Sequence, residues 1–474
     1  MGSNRRNLAL VAALLGWMFD GFEMGLFPLV ARPALRDLLG AGVAEDVVGK
    51  WYGVITAGFL VGAAAGGVLF GRLGDRVGRV RAMTLSILVY AGCSGLCGFA
   101  AAPWQLAGLR FVSALGMGGE WALGVALVME LFADTSRGRL AGLIGAAGNL
   151  GYGIVAVLAL TLNELPAVAW AGPSNWRLLL LAGVLPALLT LFVRFFVPES
   201  SRWEQVRDRG QTRDWAANDY LFIGVGTLCG VAMVGLWAID LPLALRAAGT
   251  LVLVVAAAAC FVAPVVAFLA RGHVPHFLIR HDVKHLLLGA GLSGVPLLAT
   301  WAGVMWQYNF VHALTHGLVP SAAPVLMLVS SVGAAIGCVG VALLGDRVGR
   351  RPVYATLCVL SCVTLLSFYT LHDSYTPWLV LHSGLVGVIT AGFYGWLPLY
   401  LPELFPTAIR AAGQGFSFNF GRMIAAVGAL QMTALLSAFD NDYARACSVT
   451  AAVYVVGLLL IWRAPETRGK PLPA

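Results

Sequence analysis

Charge is what this chain has least of. Only 11% of its 474 residues are Asp, Glu, Lys or Arg, whereas 59% are hydrophobic. The apolar residues fall in runs of about 20, the length that spans a hydrocarbon core of roughly 30 Å. A water-soluble domain is thereby excluded. The eight cysteines lie inside or at the ends of apolar runs, which argues against a disulfide framework. The first apolar run, 8–30, holds Asp20 and Glu23 and ends without a small-residue cleavage site, so it is not a cleavable signal peptide. No His or acid accompanies the C-x3-C pairs Cys93/Cys97 and Cys358/Cys362, which leaves small apolar packing instead of a metal site. His273, His276, His281 and His285 lack regular ligand spacing and adjoin basic residues, so they read as a membrane-surface segment. GMGG (116–119) follows no strand and precedes no GK, which excludes a phosphate loop. No nucleophile–base pair or metal set appears, so no enzyme, metal or cofactor is expected.

What is present is length and periodicity. Apolar runs fall near 8–30, 51–71, 82–102, 104–130, 140–162, 176–197, 220–239, 242–270, 286–312, 322–344, 353–371, 376–401, 413–437 and 443–462. Each is expected to be helical, because hydrocarbon offers no partner for an unpaired backbone amide. The expected fold is an all-α integral membrane protein of about fourteen spans. With the N-terminus in the cytoplasm, 23 Lys and Arg face inward. Six face outward (Arg32, Arg36, Lys50, Arg177, Arg246 and Arg445), and Arg110 and Arg422 lie within spans. That bias puts both termini inside. It also accounts for the net charge of +8 through anionic lipid, with no nucleic-acid partner.

The chain repeats itself in order. GDRVGR occurs at 74–79 and 345–350, ELFADTSR (130–137) answers to ELFPTAIR (403–410), and PES (198–200) to PET (465–467). Six spans repeated in parallel is the internal symmetry of a two-half secondary transporter. The division is therefore 1–204 as one six-helix bundle, 286–474 as the other, and 205–285 as an insertion with two extra helices. Both copies of the hexapeptide fall in short loops after the second span of a half. Asp75 can face a helix N-terminus. Arg76, Asp346 and Arg347 belong to the same loops. The bundle-end acids Glu130, Glu199, Glu403 and Glu466 can pair with Arg79, Arg137, Arg350 and Arg410. Ordinary interfacial anchoring accounts for any one loop, but not for three motifs in register.

The motifs GRLGDRVGRVR (71–81), RFVSALGMGGEW (110–121), PESSRWE (198–204), PELFPTAIRAAGQGFSFNFGR (402–422) and PETRGK (465–470) resemble those of the major facilitator superfamily, in its sugar-porter-like and metabolite–proton symporter branches. The resemblance covers all but about 205–285. It implies that the charged loops lock the cytoplasmic side and break on inward opening. Val80 stands where a basic residue usually follows Gly-Arg, and Ala114 where sugar porters usually have glycine.

Five ionisable residues lie deep in spans: Asp20, Glu23, Arg110, Glu120 and Arg422. An ionised group at mid-bilayer is costly and by default functional. Asp20, Glu23 and Glu120 near Arg110 suit proton exchange, or else form a static ion pair that fixes packing. The resemblance aligns Gly21-Phe22-Glu23 with the first-span acid of proton-coupled porters, DGFE (20–23) with aromatic-acid and sialate symporters, and Arg110 with the arginine that partners the coupling acid. Arg422, with Asn419 one turn before it, can clamp a carboxylate. Gln307, Asn309, Trp306 and Tyr308 are further pocket candidates, with Asn149, Tyr394 and Trp396 behind them. The expectation is a monomeric carrier in a bacterial inner membrane that moves a small organic anion (monocarboxylate, aromatic acid or sialate-like) with protons. A sugar or zwitterion porter and a transporter-like solute sensor stay open as alternatives.

Overall fold

The computed structural model describes residues 3–40, 42–132, 136–166, 168–172, 175–188, 199, 204, 218–239, 241–271, 276–405 and 410–473, and its regular structure is entirely helical. The first repeat contains α1 (Ser3–Leu39), α2 (Glu45–Val77), α3 (Arg79–Leu96), α4 (Pro103–Leu131), α5 (Arg137–Glu164) and α6 (Trp176–Leu181). Then come α7 (Asn218–Ala238) and α8 (Leu243–Arg271), packed side by side, with α7 lying on α2. The second repeat contains α9 (His276–Ala302), α10 (Gln307–Leu314), α11 (Ala322–Val348), α12 (Arg350–Thr370) and α13 (Pro377–Thr390). It ends with α14 (Gly392–Tyr400), α15 (Arg410–Ala438), α16 (Tyr443–Ala451) and α17 (Val453–Ile461). Against fourteen expected spans, 12 helices among the described residues are long and apolar enough to cross a membrane.

Boundaries differ from the hydropathy runs for physical reasons. α1 extends to Leu39 and α9 begins at His276, well outside the apolar stretches, because hydrogen bonding continues a helix past the hydrocarbon edge. The expected span 286–312 is two helices joined by a tight turn at Val304–Trp306. Gly303, at φ −129° and ψ −72°, leaves the helical region there. The spans at 376–401 and 443–462 are interrupted more mildly at Ala391 and Ala452, whose backbones stay in the helical region.

The repeats cross each other along α5–α11 and α2–α15, and within each repeat two helices approach to backbone contact. A Cβ on Gly66 of α2 would sit 1.9 Å from the Leu115 carbonyl oxygen of α4. A Cβ on Gly337 of α11, 271 residues on, would sit 1.9 Å from the Val388 carbonyl of α13. Small residues let helices pack where lipid supplies no hydrophobic drive. Gly66→Val is therefore expected to abolish monodisperse protein on size-exclusion chromatography. Gly58→Val, on the same helix with nothing within 4 Å, is expected to leave the profile unchanged.

Candidate functional site

The buried charges expected from sequence assemble at the α1–α4 contact. Glu23 is fully buried and accepts from Arg110 Nη1 at 2.5 Å, from Ser113 Oγ at 2.9 Å and from Ser94 Oγ. Arg110 in turn lies over the Phe59 ring at 4.4 Å and the Phe27 ring at 5.4 Å. A charge that has lost water is tolerable only when paired and hydrogen-bonded, and Glu23 meets both conditions. Asp20, one turn earlier on α1, differs. It is 3% exposed, Glu120 is 2% exposed and lies beside it, and none of their four carboxylate oxygens makes a hydrogen bond of normal geometry among the described residues. Glu120 Oε1 packs against Gly16, and the buried Tyr90 hydroxyl adjoins the pair. Tyr90, Ser94 and Ser113 carry no signal in the sequence, since neutral hydroxyls in apolar runs stand out only once the fold aims them at an acid.

Asp20 lines a central cavity of about 120 Å³ whose walls come from both repeats. Arg422 of α15 faces it from the other side. One arm of that guanidinium donates to Asn419 Oδ1 at 3.1 Å, and its carbon stands 5.0 Å over the Phe418 ring. Phe418 stacks on Trp121 of α4 at 3.8 Å and 7°, closing the cavity between the repeats. The Trp17 indole N–H, buried and without an acceptor among the described residues, belongs to the same wall. Tyr394 donates to Thr300 Oγ1 at 2.8 Å, and Tyr308 and Ser330 face each other at 3.5 Å. Asn149 also lines the cavity, with its amide turned to Gly145 O.

Five pocket candidates lie elsewhere. The break at Gly303 sends Trp306 and Asn309 to a second, larger cavity on the face opposite the charged loops. There Arg32 Nε donates to Asn309 Oδ1 at 2.8 Å, and Trp306 meets Tyr52 at 5.4 Å. Gln307 is buried but lines neither cavity. Trp396 is a core residue: its indole donates to Arg350 O at 2.9 Å and its ring stacks on Tyr400. Asn419 stands behind the wall, where it orients Arg422.

On the charged-loop face, Glu403 is the hub. It takes Arg350 through two nitrogens at 3.0 and 2.7 Å, Arg137 of the first repeat at 2.8 Å and Thr467 Oγ1 at 2.6 Å. Asp346 of α11 receives Gly138 N at 2.9 Å and Ser136 Oγ at 3.1 Å, capping α5 from across the interface. Glu199 and Glu466, expected to meet arginine side chains, bind backbone amides, among them those at helix starts. Glu199 takes Arg79 N at 2.9 Å, and Glu466 takes the amides of Arg350, Arg351, Thr467 and Arg468, each at 3.0 Å. A helix start leaves N–H groups unpaired, and a carboxylate beside them satisfies several at once. Burial opposes the charge on Glu466. The amides of Arg351, Arg350, Arg468 and Thr467 outweigh it and hold the carboxyl below its ordinary range. Gly78 and Gly349, at φ 109° and 128°, make the turns that present these amides. Arg76 and Arg347 are exposed. The side chains of Asp75, Glu130 and Arg410 lie outside the described residues.

A family model described as "Sugar (and other) transporter" matches residues 8–217 and 299–469. The chain belongs to this family, within the major facilitator superfamily. It is a transporter and not an enzyme. The transporter is 29% identical over 472 residues to a protein of Cupriavidus pinatubonensis named a "Probable 4-methylmuconolactone transporter", covering 99% of this chain and 92% of the relative. It is 25% identical over 468 residues to the niacin transporter of Acinetobacter baylyi, covering 97% and 93%. Its fold matches the major facilitator proton:xylose symporter with a TM-score of 0.71 at 18% identity, covering 100% and 98%.

Proposed function

We propose that the transporter moves a small organic anion together with protons by alternating access, with the central cavity as the substrate site. One observation carries this reading: Asp20 of one repeat and Arg422 of the other front the same small cavity, whose wall includes Trp17, Trp121, Trp301 and Phe418. Arg422 is a fork suited to a carboxylate. Its volume of about 120 Å³ is of the order of a cavity of roughly 150 Å³ that admits benzene. A single-ring or similarly compact acid fits that space. The relatives named for 4-methylmuconolactone and niacin support a small ring-bearing solute. Asn149, Thr300, Tyr308, Ser330 and Tyr394 give the cavity neutral donors and acceptors that a sugar could also use; Arg422 is the group that favours an anion.

Asp20, Glu23 and Glu120 are the proposed proton carriers. Glu23 is held by Arg110 when empty of its proton, and released from it when loaded. The charged loops, Glu403 foremost, form the cytoplasmic gate, which is closed here. Fourteen spans stay the proposal: α4 is 29 residues long, and the family model passes over 218–298, in keeping with an inserted pair between bundles 1–204 and 286–474. The Lys and Arg bias supports both termini in the cytoplasm of a bacterium, with the protein monomeric in the inner membrane and using no cofactor beyond the proton.

Proteoliposomes with an imposed pH gradient test the coupling. Wild type is expected to accumulate labelled nicotinate or a related ring carboxylate. Glu23→Gln is expected to lose accumulation yet keep exchange of internal for external substrate. Accumulation by Glu23→Gln at the wild-type level would sink this mechanism.

A further inference from the structure

His281 and His285 show no ligand spacing when all four histidines of the segment are read together, but within α9 they are one helical turn apart. Residues at i and i+4 share a helix face, and here the two rings stand 4.2 Å apart at 84°. Asp282 joins them: its Oδ1 is 3.4 Å from His281 Nδ1, and ligand atoms of all three residues lie within 4.8 Å of one another.

Two features call for a cation. Asp282 is only 7% exposed, and among the described residues no Lys or Arg pairs with it; its neighbour is His281. His285 Nδ1 is buried with no hydrogen-bond partner among the described residues. A carboxylate and an imidazole lone pair taken from water together are costly unless something positive joins them. The 3.4 Å separation is long for an N–H···O bond. It is close to the edge of a tetrahedron, ~3.4 Å, built on metal bonds of ~2.0–2.1 Å.

We propose that His281, Asp282 and His285 form a divalent transition-metal site, with water completing the coordination. Two imidazoles and one carboxylate suit zinc, cobalt, nickel or copper, whereas magnesium and calcium prefer oxygen alone. Exposed Arg280 and Lys284 beside it make the site weaker than a closed four-ligand structural zinc site. It lies at the start of α9, after the chain leaves α8; the cavity-lining Leu297 and Thr300 are on the same helix, about three to four turns on.

Titration calorimetry with zinc chloride on full-length, tag-free protein in detergent tests it, with cobalt read in parallel by its visible absorption. Wild type is expected to bind one equivalent saturably, with no competition from magnesium. His281→Gln, at an exposed position where folding is unaffected, and His285→Gln are each expected to weaken binding by at least about 10-fold, the smallest loss seen even for outer partners of a metal. Lys284→Ala is expected to keep or tighten it. No saturable zinc binding by wild type, or wild-type binding in both histidine variants, would overturn the site.

Discussion

Arg422→Lys lowers carboxylate counterflow by about two orders of magnitude, and Arg422→Ala abolishes it. The guanidinium offers two parallel donors to a carboxylate, and each charge-assisted bond is worth roughly 1.5–3 kcal/mol in a site shielded from water. Losing both is about 3–6 kcal/mol, or on the order of 10²–10⁴ in binding. Lysine restores charge as a point, not a fork, and cannot rest on Phe418 as the planar group does. Arg422 is also the cation facing Asp20 across the cavity, so Arg422→Ala leaves that acid without a counter-charge. The double variant Asp20→Asn/Arg422→Ala separates the two effects: it is expected to regain thermal stability without regaining transport. Counterflow in proteoliposomes with labelled nicotinate and its neutral amide supplies the measurement. Wild type prefers the acid and the variants lose that preference; an Arg422→Ala protein that still favours the acid would remove the clamp.

Glu403→Gln opens the charged-loop face. The carboxylate holds Arg350 within its own repeat and Arg137 across the interface, so only the second contact must break during transport. Removing one partner of a buried pair costs about 3–5 kcal/mol. Arg137 is 27% exposed and regains water on release, which discounts the crossing arm to about 1–2 kcal/mol. A shift of that size changes a two-state population by roughly 5- to 30-fold. Cys338 is the natural reporter: it is fully buried on α11, donates to Ala391 O at 3.0 Å, and packs against Gly145 of α5 across the repeat interface. Peptide-resolved maleimide labelling is expected to rise at Cys338 by about that factor in Glu403→Gln and less in Arg137→Gln. Unchanged labelling in both would mean that these contacts do not hold the face shut.

Part of this is legible in the sequence. The cost of buried charge singles out Glu23, Arg110 and Arg422 in the sequence, and the structure buries all three. Side-chain direction was not readable. WQYN (306–309) looks like one pocket-facing cluster. A backbone break at Gly303 instead sends Trp306 and Asn309 outward, buries Gln307 and leaves Tyr308 on the cavity. Glu199 and Glu466 advertise charge in the sequence, which suggests arginine partners. That helix-start amides also donate to them is a property of turns at Gly78 and Gly349 that residue type alone does not reveal. Trp17, Phe418 and Trp121 are ordinary apolar letters within apolar runs, and only helix crossing makes them walls.

The stretch from Pro465 to Lys470 has a consequence for anyone handling the protein. Glu466 caps α12, Thr467 steadies Glu403, and the Lys470 carbonyl accepts from Arg137 at 3.3 Å. This short tail is thus a bolt threaded through the moving joint. A purification handle fused behind it, or a protease nick before it, would tug on the conformational cycle itself, so labels belong at the opposite terminus.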